Sequence, residues 1–224
     1  AQPTEKKPIN YESKELEVSP KTLNKPSSSS LKFDENTKST NKHSFTNYDT
    51  NKIHLRMTLQ SDSNFSAKEY VTRLMLSEMM SKGIKMQRQI YNESQVEQFY
   101  DKNGIKRNFS IGDLGLRIHM SVPKDSSIKA TVKLLKNEIV SPLMSKSDFS
   151  YLKSKLLAEL RGSGNSVNTV AKVMLNQKLF EPNSVHYRHS FDELVSELNN
   201  VSYDDVVQQH QQSLKGKSVV SILG

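Results

Sequence analysis

The sequence predicts an α+β domain, an antiparallel sheet of about four to six strands with helices packed on one face, preceded by a polar segment. Three observations carry that reading. Ile53, Leu55, Met57 and Leu59 alternate with polar residues, which is the period of a half-buried strand. Apolar residues recur at helical spacing in several long stretches after residue 66. The segment 1–51 has neither period: it is rich in Ser, Thr, Asn, Lys and Pro, including Pro26-Ser27-Ser28-Ser29-Ser30, and reads as a linker or hinge. Within it only Tyr11–Val18 and Leu31–Phe33 have the character of short edge strands.

The domain proper is expected over 52–224. After the strand Lys52–Gln60, Ser66 is placed to cap a helix over Ala67–Lys82, and Gly83 stops it. Ile90, Val96, Phe99 and Tyr100 predict a second helix over Gln87–Lys102, closed by Asn103-Gly104. Two alternating runs, Ile105–Ser110 and Leu114–Val122, flank Gly112-Asp113 and form a hairpin. Helices follow over Ser126–Val140, Asp148–Arg161, Asn165–Phe180, Phe191–Asn199 and Asp204–Leu214, with Gly162 ending one and Asn165 capping the next. Val219, Val220, Ile222 and Leu223 close the sheet.

Composition excludes several classes of function. With no Cys among 224 residues there are no disulfides, thiolate zinc sites, iron–sulfur clusters or cysteine nucleophiles. An apolar fraction of 34% leaves enough for one core but not for the whole chain, and no run approaches the ~18 apolar residues of a membrane span. The chain as given is therefore expected to be soluble, either mature or cut from something longer. The net charge of +8 raises nucleic acid as a partner. Lys and Arg are scattered among Glu and Asp, however, and the aromatics form no stacking platform, so a solvated Lys-rich face is expected and no nucleic-acid site.

No catalytic constellation is visible. His186-x-x-His189 is the only close histidine pair, and it lies in a turn without an acidic residue spaced to complete a metal site. His54 and His119 fall on polar positions of strands, His210 on a polar helical stretch and His43 in the linker. Gly162-Ser163-Gly164 is read as a helix–helix turn rather than a nucleophile elbow, and no phosphate-cradling glycine loop occurs. Glu78 and Glu159 are lone carboxylates on amphipathic helices, expected to serve as surface ion-pair partners.

The order of elements, with several local stretches, resembles one homologous domain of the pitrilysin/insulinase-type zinc metallopeptidases (inverzincins). Leu74-Met75-Leu76-Ser77-Glu78-Met79-Met80-Ser81-Lys82-Gly83-Ile84 is similar to the helix that in active domains reads H-x-x-E-H-M-x-x-K-G-T. Leu179-Phe180 through His186-Tyr187-Arg188 resembles the family's "lF…HpY" turn. Phe191-Asp192-Glu193-Leu194 with Val201–Val206 resembles "s.eel..ls.edv", and Ser218–Gly224 the final apolar strand. Such a domain is a half-unit of the LuxS/processing-peptidase type. An inverted zinc motif requires two His one turn apart and a Glu beside the second. Those positions hold Leu74, Glu78 and Ser77, and Glu159, where the family places a downstream ligand, cannot hold a metal alone.

The resemblance therefore implies a catalytically inactive domain with no catalytic, cofactor or metal residue of its own. It would form part of a peptide-holding chamber and pair with an H-x-x-E-H domain or subunit that carries the zinc. It implies a further domain beyond Gly224 and a periplasmic or cell-envelope location, and peptide substrates are expected to add along a sheet edge, for which Lys52–Gln60 is the candidate. Two other readings stand beside it: a stand-alone basic scaffold or interaction module that binds an acidic partner, and an enzyme built on His186 and His189.

Overall fold

A computed structural model describes residues 44–45, 51–60, 66–86, 89–112, 114–182, 184 and 186–223. The edge strands expected at Tyr11–Val18 and Leu31–Phe33, and most of the polar segment 1–51, lie outside the described residues. A five-stranded sheet is built from β1 (Ser44–Phe45), β2 (Lys52–Gln60), β5 (Lys106–Gly112), β6 (Gly115–Pro123) and β7 (Ser218–Leu223). Its order is β1-β7-β2-β6-β5, with all pairings antiparallel except β1 with β7. A separate hairpin pairs β3 (Gly83–Met86) with β4 (Gln89–Asn92). The seven helices are α1 (Ala67–Met79), α2 (Glu93–Lys102), α3 (Ile128–Val140), α4 (Lys146–Gly164), α5 (Val167–Leu179), α6 (Phe191–Asn200) and α7 (Tyr203–Lys215).

Register divides the sheet into two faces. Leu55 pairs with Met120 and Ile222, Met57 with Ile118 and Val220, and Leu59 with Leu116 and Ser218, so these side chains share one face. That face meets α1, a helix with apolar residues around most of its circumference. Val71, Met75, Leu76 and Met79 are all fully buried, because the sheet covers one side of α1 while α4, α6 and α7 cover the other. Leu152, Leu156 and Leu160 of α4, Leu194 and Leu198 of α6 and Val206 of α7 complete the core.

Local chemistry explains most of the boundaries. The Ser66 hydroxyl accepts from the Glu69 amide at 3.2 Å, as expected of its cap, and α1 tightens into a 3-10 turn over Met80–Lys82 before Gly83. Gly83 has φ +128°, and a Cβ there would lie 2.3 Å from the Tyr91 carbonyl oxygen across the β3–β4 hairpin. Two expectations are corrected. The helix predicted over Gln87–Lys102 begins only at Glu93, because Asn92 and Gln95 form a reciprocal capping box and the preceding residues pair as β4. Gly162 does not end α4: the helix runs on to Gly164 with Asn165 as its C-cap, and Ser166 precedes α5. A glycine inside a helix costs only about 1 kcal/mol, which a 19-residue helix anchored by three buried leucines absorbs.

The strand Lys52–Gln60, candidate for an edge, is flanked by β6 on one side and β7 on the other. Both rows of its backbone hydrogen-bonding groups are already used, so it cannot take an added peptide strand.

Candidate functional site

Leu74, Ser77 and Glu78, the positions that the sequence resemblance sets against an inverted zinc motif, lie on α1 against α4. Leu74 is half-buried and packs on the core, and the Ser77 hydroxyl, buried, donates to the Leu74 carbonyl oxygen at 2.8 Å. Glu78 points out toward α4, where Lys155 Nζ lies 3.3 Å from its Oε2 and 3.7 Å from Glu159 Oε1. Hydrogen bonding and attraction to Glu78, chiefly, hold the Lys155 ammonium above its ordinary pKa. The fold thus brings Glu78 and Glu159 to one point, two helices apart, and puts a cation between them.

This donor set does not fit zinc. Zinc requires imidazole or thiolate nitrogen and sulfur alongside any carboxylate, and here an ammonium already satisfies both carboxylates while the third position is an aliphatic side chain. Among the described residues no group of three or more His, Asp and Glu side chains could hold a metal ion.

The histidines are dispersed. The His186 ring packs on Phe180, whereas His189 meets Tyr187 edge-on and pairs through Nδ1 with Glu193 Oε1 at 3.1 Å. His210, expected on a polar stretch, is instead buried, with Nε2 2.7 Å from the Ile139 carbonyl oxygen at the end of α3, where it donates to that carbonyl. The packing of α7 against the rest of the core makes this residue structural. His54 and His119 do lie on the outward face of the sheet, as predicted, with their rings stacked at 5.9 Å.

Two features had no signal in the local sequence. A buried polar cluster joins α2, α3 and β5: Tyr100 donates to Glu138, Arg107 Nε approaches Glu138 Oε1 at 2.8 Å, and the Arg107 guanidinium donates to Glu97 at 2.8 Å. The same guanidinium lies over the Tyr100 and Phe109 rings. Glu138 is fully buried, and burial, only partly offset by Arg107 and Tyr100, pushes its carboxyl up to about 7. The second is α5, which buries none of its residues and turns Val167, Met174, Leu175 and Leu179 to solvent on one side.

No family model matches the sequence, and no curated protein matches it. Solved structures do match the fold. The peptidase M16 inactive domain from Pseudomonas fluorescens superposes with a TM-score of 0.66 at 13% identity, covering 81% of this chain and 43% of that one.

This chain has the fold of an M16 inactive domain.

A conserved protein from Enterococcus faecalis V583 gives a TM-score of 0.65 at 17% identity, over 81% of this chain and 45% of that one. The periplasmic protease PqqL from Escherichia coli gives 0.57 at 9% identity, over 79% and 19%. The chain therefore spans less than half the length of each of these proteins. Among the described residues no helix is long and apolar enough to cross a membrane.

Proposed function

We propose that this chain is a non-catalytic domain of an M16-type zinc peptidase, which contributes peptide contacts and works beside a catalytic H-x-x-E-H domain or subunit, in the periplasm or cell envelope. The observation that carries the proposal is the Glu78–Lys155–Glu159 arrangement: the fold is that of a peptidase domain, and an ion pair stands where the sequence resemblance would put the metal ligands. The outward apolar side of α5 supports the pairing. Four large apolar side chains left exposed on one side of a helix suit a partner surface, and the matched proteins have more chain beyond the matched part than within it. The occupant of α5 is on this reading the catalytic domain.

Zinc content and hydrolysis of quenched peptides by the purified chain test the first half. Less than ~0.1 zinc per chain and no turnover are expected, since a site without its ligands loses both binding and the metal-bound water; one zinc per chain with turnover overturns it. For the second half, the chain purified from its native source should co-elute with an H-x-x-E-H protein. Leu175→Glu with Leu179→Glu should abolish that co-elution while leaving the circular dichroism spectrum unchanged. A wild-type chain that elutes alone overturns the pairing.

A further inference from the structure

The outward face of the sheet has a composition that the solvated-surface reading does not explain. None of the five strands contains a single Asp or Glu, although the chain has 24 of them. On that face Arg56 pairs with His119, Lys106 pairs with Ser121 beside His54, and Arg117 stands two residues from His119. Arg56, Lys106 and Arg117 are exposed, and no ion-pair partner is recorded for any of them among the described residues. Some basic side chains elsewhere do have carboxylate partners, as at Lys82–Glu93, Arg107–Glu97 and Lys155–Glu78, where acidic residues stand on the neighbouring helices. Arg107, on the same strand as Lys106 but turned to the helices, ion-pairs with both Glu97 and Glu138.

Strands lie ~4.8 Å apart and same-face neighbours along a strand ~6.8 Å apart, so His54, Arg56, Lys106, Arg117 and His119 form one compact patch over three adjacent strands. Three basic side chains with no ion pair recorded among the described residues, flanked by small hydroxyl and amide residues such as Thr58, Asn108 and Ser110, give a positive potential and hydrogen-bond donors over a shallow surface. We infer that this face binds an acidic polypeptide segment, whose carboxylates pair with Arg56, Arg117 and Lys106. The inference names the substrate class of the peptide-contacting domain proposed above and rests on that reading. Acidic peptide is favoured over nucleic acid because the outward positions of β2, β5 and β6, the strands that carry the patch, include no Phe, Tyr or Trp on which bases would stack. Arginine suits the role, since its planar fork meets a carboxylate with two parallel hydrogen bonds.

The test is fluorescence anisotropy of the full chain with a short labelled Glu-rich peptide and with its Gln-for-Glu counterpart. The Glu peptide should bind about tenfold more tightly, and its affinity should fall steeply as salt shortens the screening length from ~30 Å to ~8 Å. Arg56→Glu with Arg117→Glu should weaken binding about tenfold, whereas Lys129→Glu with Lys136→Glu, the same charge change on exposed positions of α3, should leave it within about twofold. Equal losses in the two double variants would mean that only net charge matters and would overturn the site. Tighter binding of an oligodeoxythymidylate, lost in the arginine variant, would overturn the peptide as occupant in favour of nucleic acid. A dimer that forms on concentration and is lost in the same variant would assign the face to a second copy and equally overturn the inference. Should the reversal variant misfold by circular dichroism, Arg56→Gln with Arg117→Gln replaces it, with about threefold weakening expected and no change counting against the site. Zinc content and hydrolysis are measured on the same preparation, so loss of the non-catalytic reading is seen separately from loss of the peptide site.

Discussion

Glu138 offers the most direct quantitative test of the structure. Its carboxyl sits beneath α3 with no solvent exposure, held by Tyr100 and Arg107, and burial raises it from 4.5 to about 7. A group that binds its proton more tightly folded than unfolded stabilises the fold fully below its unfolded value and loses that contribution as pH rises through the folded one. For Glu138 the window runs from about 4.5 to about 7. At ~1.36 kcal/mol per pH unit the gap is worth about 3 kcal/mol. Glu138→Gln keeps the shape and mimics the protonated acid without titrating. Other groups titrate in the same range, so the quantity to follow is the difference between the two proteins. Urea unfolding followed by circular dichroism should find them of similar stability near pH 4.5. The variant should gain about 3 kcal/mol on the wild type by pH 8, or ~6–12 °C in thermal midpoint. Profiles that stay parallel within ~0.5 kcal/mol across this range would show that Glu138 does not titrate there. A crossing in the opposite direction would show that Arg107 outweighs burial.

Other substitutions probe the elements that place the candidate site. Gly83→Ala puts a Cβ 2.3 Å from the Tyr91 carbonyl oxygen at a φ of +128°, and should lower stability by at least ~2 kcal/mol in the same unfolding assay. Glu78→Ala removes only one partner of a partly exposed Lys155, so the change should stay under ~1 kcal/mol; a larger loss would mean that the α1–α4 ion pair is a structural strut rather than a replacement at a metal locus.

How much of this was legible in the sequence depends on the range of the signal. The period-two run at Lys52–Gln60 and the helical run from Ala67 are long enough for periodicity to identify them, and Ser66 and Gly83 mark their ends through local chemistry. The β3–β4 hairpin was missed because four-residue strands offer too few positions to separate the two periods, and Ile90 falls at helical spacing by chance. The Asn92-x-x-Gln95 capping box was nevertheless present in the sequence and would have marked the start of α2. Leu74, Ser77 and Glu78 were readable as departures from a motif, but the cation that links Glu78 to Glu159 was not, because 77 residues separate Glu78 from Lys155.

The sequence by itself determined the types of the long elements, the apolar stripes that must be buried and the absence of cysteine chemistry. Each of these follows from residue identity and from contacts within a turn or a strand. The tertiary structure decided what long-range pairing decides. It put β2 in the interior of the sheet rather than at an edge, and it wrapped α1 on every side so that even Arg73 and Ser77 are buried. It gathered Tyr100, Arg107 and Glu138 from three elements, and it left the acid-free face of the sheet and one side of α5 uncovered by the described residues. Strand order and helix placement depend on which surfaces meet across the whole chain, and one-dimensional periodicity specifies that a surface must be buried without specifying by what.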